Sequence, residues 1–232
     1  MIRLGVFLVP PPEHPFYTVT TGILGYDVWA RRRQTSILAD HLDAPTLERW
    51  IGEAASYGIH CTIVGGAMHY DDRDVDEIGA RLSWIASRTA PFTLANGRFF
   101  DEFHARPRAL VARFDGPDGA LDRLHRQVAT LVSPLHVETR CRAPQPGDDE
   151  RAQVLYTRFG ETHVLERFSA HWSLMSGLPD DASWSAARDL VARRTSLFAD
   201  ERTRTVPVEA MRLVAFDADG FCYVASSYPL AG

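Results

Sequence analysis

The apolar positions of the chain fall into short runs and helical stripes with no regular strand–helix rhythm. Residues 1–9 (MIRLGVFLV) are almost wholly apolar and end in three prolines, which predicts a buried strand. Residues 10–43 mix polar, glycine and basic positions and predict loop with at most one helical turn. The spacing then predicts a helix over 45–57 capped by Asp43, and a glycine-bounded strand over 58–66. Val75, Ile78, Leu82 and Ile85 predict a helix over 74–88. Leu121, Leu124, Val128 and Leu131 predict another over 118–132. Between them, 92–100 and 109–114 read as strands. Residues 140–150 are a polar, proline-rich break and a candidate boundary between lobes. Beyond it the pattern gives a short helix at 151–159, a strand at 168–177 and a helix at 183–198. Strands at 206–216 and 221–228 are joined by the hairpin turn Asp217-Ala218-Asp219-Gly220. Strands and helices do not alternate as βαβ units, so the fold class is α+β, rich in antiparallel pairs.

Composition narrows the picture only slightly. A chain of 232 residues, 45% apolar and 24% charged, makes one large domain or two intimate lobes with a proper core. No stretch approaches the roughly 18 apolar residues of a membrane span, and the first apolar run is too short for a secretory segment, so the cytoplasm is the expected location. The three cysteines, Cys61, Cys141 and Cys222, are odd in number and far apart, which suggests neither disulfides nor a metal site. The net charge of −5 disfavours a general nucleic-acid binder. An anionic ligand would need a local cluster of arginines, since every basic residue is arginine.

Two segments align without gaps: His60-Cys61-Thr62-Ile63-Val64-Gly65-Gly66 and His171-Trp172-Ser173-Leu174-Met175-Ser176-Gly177. Both fit His-x-[Ser/Thr]-aliphatic-aliphatic-x-Gly. With 9 His and 28 Ser or Thr, chance alone supplies about one His-x-[Ser/Thr]; the shared aliphatic pair and glycine carry the significance. In a strand, residues two apart share a face, ~6.6 Å from one another. His60 and Thr62 therefore point one way while Ile59, Cys61 and Ile63 point into the core, and His171 and Ser173 stand opposite Ala170, Trp172 and Leu174. If the two strands are neighbours, two imidazoles and two hydroxyls converge. That set suits phosphodiester cleavage: one neutral imidazole takes a proton, the other, protonated, gives one to the leaving oxygen, and the hydroxyls donate to phosphate oxygens.

These residues resemble the two-histidine (2H) phosphoesterase superfamily, whose signature is a duplicated His-x-[Thr/Ser] motif. The resemblance covers most of the chain. It implies a single bilobal domain over residues 1–232: two pseudo-symmetric antiparallel-rich sheets flanked by helices, with the active site in the cleft between them. Tyr57-Gly58-Ile59-His60-Cys61-Thr62-Ile63 resembles the Tyr-Gly-Phe-His-Ala-Thr-Leu of the branch associated with phosphonate metabolism, and residues 168–177 and the closing Tyr228-Pro229-Leu230 fit the same branch. The resemblance implies His60 and His171 as acid and base, in an order it does not give, and Thr62 and Ser173 as phosphate contacts. The chain departs from that branch at three usually basic places: Val64, Ser169, and Ser133-Pro134-Leu135.

The expected activity is cleavage of a cyclic phosphate or phosphodiester of a small sugar or nucleotide, without metal or cofactor. Two alternatives stay open: an RNA-end enzyme acting on 2′,3′-cyclic termini, and a non-catalytic binder of a phosphorylated metabolite. Tyr57, Arg106 and Arg167 are candidates for holding substrate, with Arg98, Arg108 and Arg158 as further basic positions. His69 and His104 read as surface or loop, His125 as a structural residue of its helix, and Trp172 as core. The expected partner is a small phosphorylated molecule, neither long nucleic acid nor membrane; the oligomeric state is not legible.

Overall fold

The computed structural model describes residues 1–102, 108–141, 143–145, 147 and 149–232. The first strand, β1 (Ile2–Leu8), ends at the prolines as expected. The next stretch departs from expectation. Residues 10–43 hold a three-turn helix, α1 (Pro15–Leu24), and a small hairpin of β2 (Tyr26–Asp27) and β3 (Arg32–Arg33). Its threonines and valine are poor helix formers. Pro15 opens α1, the His14 side chain accepts from the Phe16 N–H at 3.3 Å, and Gly25 closes it in the left-handed conformation. Burial of Phe16, Ile23 and Leu24 then outweighs propensity.

The expected helix at 45–57 is two pieces, α2 (Ala44–Ile51) and α3 (Ala54–Tyr57), broken at Gly52, with Asp43 accepting from Thr46 N–H at 3.0 Å as the cap. The first motif runs into β4 (Cys61–Tyr70), which passes through the two glycines thought to end it. The helix α4 (Val75–Ala86), the strands β5 (Phe92–Glu102) and β6 (Arg108–Asp115) and the helix α5 (Ala120–Leu131) follow the pattern closely. An unanticipated short strand, β7 (His136–Thr139), precedes the polar break, and α6 (Glu150–Phe159) follows it. The second motif leads β8 (Trp172–Leu178), followed by α7 (Asp181–Arg194). The expected strand at 206–216 divides into β9 (Val206–Val208) and β10 (Ala210–Phe216), and the turn at Asp217 leads to β11 (Cys222–Pro229).

Among the described residues every strand pairing is antiparallel. One sheet has the order β11-β10-β1-β4-β7 and the other β8-β6-β5-β9. The apolar stripes of α4 and α5 pack on the first sheet, and α7 on β6 and β8 of the second. The fold is thus α+β with two antiparallel sheets flanked by helices. Among the described residues no helix is long and apolar enough to cross a membrane.

The early part of β4 pairs with β1 on one side only, because β7 begins pairing at Met68. Its other edge faces the start of β8 and the segment leading to it. A buried backbone polar group must find a partner, and here side chains provide it. The Cys61 thiol lies against the backbone of His171. His125 Nδ1–H donates to the Ile63 carbonyl at 2.7 Å, and Glu161 Oε1 accepts from the Gly65 N–H at 3.3 Å. The two sheets therefore meet along an edge closed by side chains rather than by a strand ladder.

Burial pushes the Glu161 carboxyl up to about 7, opposed only by the Gly65 N–H. A carboxyl raised on folding favours its protonated form in the native state, so its contribution to stability is present at low pH and is lost as pH rises through about 7. Glu161→Gln keeps the acceptor and removes the charge. We expect its Tm to gain on wild type progressively between pH 5 and pH 8; a constant difference across that range would place Glu161 in water rather than in the seam.

Candidate active site

Each motif histidine stands one residue ahead of its strand. The turn out of α3 is made at Gly58, whose φ of 59° favours glycine. It brings the Gly58 carbonyl within 2.9 Å of His60 Nδ1. On the other side Ser169 does the same for His171, its carbonyl 2.8 Å from Nδ1. A carbonyl only accepts, so Nδ1 carries the proton in both rings and the other ring nitrogen, Nε2, points away from that carbonyl. His60 Nε2 lies 3.1 Å from Thr62 Oγ1, which puts the first histidine and hydroxyl on one face, while Ile59, Cys61 and Ile63 are buried.

Two rings line His60. Phe7 of β1, opposite Thr62 in the register, stacks on it with centroids 4.1 Å apart, and Tyr57 stacks at 5.6 Å. Burial among them drives the His60 imidazole down to about 4; a positive charge on His171 pushes the same way, and the Gly58 carbonyl opposes. His60 is therefore neutral at pH 7. The mutual effect also places the two imidazoles near one another.

In the second motif Ser173 lies opposite Val111, and Trp172 lies opposite Ala112 with its ring turned away into the core. Trp172 is fully buried, edge-on to Phe16 and Phe114, in the core role expected of it. The structure thus brings His60, Thr62, His171 and Tyr57 to the junction of the sheets, with Ser173 one step along β8.

The candidate arginines divide differently. Arg167 is turned onto Asp149, both carboxylate oxygens 2.6 Å from Nη2, at the cap of α6. Arg98 pairs with Asp115, Arg108 with Asp101 and Asp181, and Arg158 lies over Phe159. Arg106 and His104 lie outside the described residues. His69 is in β4 opposite Arg3, a half-buried strand residue rather than a loop one. Among the described residues no group of three or more His, Cys, Asp or Glu converges as a metal site.

Two other arginines stand where the candidates were sought. Arg3 of β1 donates through Nη2 to the Tyr57 hydroxyl and through Nε to the Gly66 carbonyl at 2.6 Å, with its guanidinium 3.7 Å above the Phe216 ring. Arg113 of β6 donates through Nη2 to the Ser169 hydroxyl and lies 4.0 Å above the Phe100 ring. Each comes from the strand beside a motif strand, is stacked on a phenylalanine, and grips the residue two or three places before a motif histidine. The available signal was an arginine inside an otherwise apolar strand, MIRLGVFLV and ALVARF. The basic positions missing from the motifs have a physical counterpart too. Val64 is buried and paired with Val6, where a lysine would be sealed in the core.

The glycines that end the two heptapeptides have different causes. Gly66 adopts a φ of 87° at the kink of β4. Gly177 is needed because α2 approaches so closely that a Cβ there would sit 1.8 Å from the Arg49 carbonyl oxygen. Ser176 secures the same contact, donating to the Ile51 carbonyl at 3.1 Å. The helix leading into the first motif is thereby docked on the strand of the second.

Residues 69–221 match the model of a family described as "Protein of unknown function (DUF1045)". Ribose 1,5-bisphosphate phosphokinase PhnN of Laribacter hongkongensis is 29% identical over 204 residues, 80% of this chain; the chain spans 43% of that relative's length. Among solved structures, TT0787 of Thermus thermophilus superposes with a TM-score of 0.54 at 15% identity, covering 100% of this chain and 99% of that one. E. coli LigT complexed with 3′-AMP gives 0.51 at 14% identity, again over 100% and 99%. A protein described as a phosphoesterase gives 0.50 at 15% identity, with the same coverage. At these identities the likeness establishes the shared fold.

Gly177→Ala should disturb both motifs at once. The added methyl must displace backbone, and overpacking of this kind typically costs ~1–3 kcal/mol. The loss is read from the urea midpoint at constant m-value; an unchanged midpoint would mean that α2 is not held against β8.

Proposed function

Because this chain belongs to the DUF1045 family and has the two-histidine phosphoesterase fold, we propose that it cleaves a cyclic phosphate or phosphodiester of a small sugar or nucleotide, with His60 and His171 as the proton carriers. One observation carries the reading: both motif histidines commit Nδ1–H to the carbonyl two residues back, and so present Nε2 at a shared junction.

In this reading His60, neutral at pH 7, is the base. Its Nε2 takes a proton from water as the water oxygen bonds to phosphorus. His171 gives a proton to the departing oxygen as the P–O bond breaks, leaving a phosphomonoester and a hydroxyl. Thr62 and Ser173 donate to the non-bridging oxygens, where negative charge grows. A bound phosphate between the rings favours their charged forms, since an opposite charge within about 4–6 Å stabilises the ion. That raises His60 from its depressed value toward one useful for a base. Arg3 and Arg113 supply positive charge beside each motif in a chain whose net charge is −5.

The same electrostatics favour a small substrate. Arg73, Arg81, Arg98, Arg126, Arg151 and Arg202 are each ion-paired with a nearby carboxylate, which leaves them poorly placed to form a phosphate-tracking groove. The 3′-AMP bound to the E. coli LigT structure is a ligand of the proposed size on a similar fold.

Two measurements test the reading. His60→Ala and His171→Ala should each lose about 10²–10⁴-fold in kcat, the usual range for general acid–base catalysis; Thr62→Ala and Ser173→Ala should lose less. A folded histidine variant that keeps the wild-type rate would refute the mechanism. The second is kcat/KM across mononucleoside 2′,3′-cyclic phosphates and ribose cyclic phosphates, beside a 10-mer RNA ending in a cyclic phosphate. We expect the best small ester to exceed the 10-mer. A preference for the 10-mer that collapses with added salt would make the protein an RNA-end enzyme, and no turnover with tight binding would make it a binder.

A further inference from the structure

His125 projects from the middle of α5 and is fully buried, yet both its ring nitrogens are bonded to backbone outside its own helix. Nδ1–H donates to the Ile63 carbonyl at 2.7 Å, inside the first heptapeptide. Nε2 accepts from the Leu165 N–H at 2.8 Å, six residues before the second histidine. The partners leave no freedom in the proton's position: a carbonyl can only accept and an amide N–H can only donate. The ring is therefore neutral, with its proton on Nδ1.

A third contact joins the first two. The ring lies flat on Phe168, centroids 3.8 Å apart and planes within 5°. Phe168 directly precedes Ser169, whose carbonyl holds His171. The stretch between, Leu165–Arg167, is a single tight turn, and Leu165 has a φ of 56°, an uncommon conformation for a branched side chain. Such a conformation persists only where surrounding contacts impose it. Here the His125 bond holds the Leu165 amide from one side. From the other, Val164 is buried with Leu155 and Phe159 of α6 in a small separate core.

We propose that His125 is a positioning residue: it ties the strand bearing His60 and Thr62 to the arm delivering His171 and so fixes the separation of the two imidazoles. The proposal rests on the phosphoesterase reading for its effect on rate, but not for its effect on structure. The two-point bond explains why a histidine occupies a fully buried place on an otherwise apolar helix face. A leucine would fill the volume and leave the Ile63 carbonyl and the Leu165 amide unpaired.

Three variants separate positioning from bulk stability. His125→Asn keeps a donor at the Nδ1 position and loses the acceptor for Leu165. His125→Gln carries an amide oxygen far enough to accept from Leu165. His125→Leu keeps volume alone. Hydrogen exchange of the Leu165 amide reads the clamp without any substrate; kcat and KM on 2′,3′-cyclic AMP read its consequence. We expect faster exchange through 165–171 in Asn and Leu, restored in Gln, while the α4 and α7 amides stay protected. We expect kcat to fall by about tenfold or more in Asn and Leu with KM little changed, since a misplacement of about 1 Å can cost ~10²-fold. Gln should recover only part of the rate, because it keeps the tie to Leu165 and loses the one to Ile63. In a His171→Ala background the His125→Asn change should add almost no further loss, because it acts through His171. Unchanged exchange at Leu165, or wild-type kcat in folded His125→Asn, would overturn the proposal. Absence of wild-type turnover on every cyclic phosphate would instead sink the phosphoesterase reading, and Leu165 exchange would still decide the clamp.

Discussion

A β-strand whose edge is sealed from water loses stability for each hydrogen bond left unmade, and the structure turns on how β4 meets that demand. It carries the first motif at the seam between two sheets, where the second sheet approaches without pairing to it. The gap is closed by His125 on the Ile63 carbonyl and Glu161 on the Gly65 amide. Each of these groups reaches from an element that also touches the run-in to the second motif. Satisfying the backbone of one motif strand thereby locates the other, and the site becomes a by-product of closing the fold.

Burial at this seam also sets the chemistry. The stacking that aims the His60 ring removes water from it, and a desolvated imidazole resists protonation. Phe7 is fully buried and could be taken as ordinary core, yet its ring is one wall of the burial that keeps His60 neutral. Tyr57 works from the other side, its hydroxyl held by Arg3 while its ring stays against the imidazole. The cation of Arg3 is held at the far end of the tyrosine, so positive charge lies near the motif without sitting on the His60 ring. Arg113 reaches the second motif through the Ser169 hydroxyl, the residue whose carbonyl orients His171.

Much of this was legible in the sequence where the signal was local. Period-2 alternation gave the shared face of His60 and Thr62 and the inward turn of Trp172, and helical stripes gave α4 and α5 to within a residue or two. The misses were tertiary. The threonine-rich α1 has weak propensity and exists because Phe16, Ile23 and Leu24 find a core. The strand β7 is four half-exposed residues whose pairing with Met68 through Tyr70 leaves no periodic trace. The glycines at 65 and 66 resembled a strand end but mark a kink that the strand passes through. Arg167, a candidate for holding substrate, is held by Asp149, whereas Arg3 and Arg113, distant in sequence, reach the motif arms. A charge's availability depends on its nearest counter-ion, and spacing along the chain does not record that.

The repeated heptapeptide invites the idea that the two halves are copies with one set of physical reasons. The structure separates what is repeated from what only coincides. The Nδ1–carbonyl bond, the shared strand face and the phenylalanine-stacked arginine recur in both halves. These are the features an imidazole needs if it is to present one nitrogen at a fixed angle. The terminal glycines match in letter alone: Gly66 serves a left-handed kink, while Gly177 clears the way for the Arg49 carbonyl. The edges differ as well, since β4 lies inside its sheet and β8 ends the other. A symmetric pair of strands would leave the seam open on both sides. The asymmetric arrangement puts an interior strand against an edge strand, and the residues that fill the mismatch, His125 and Glu161, have no counterpart in the repeat.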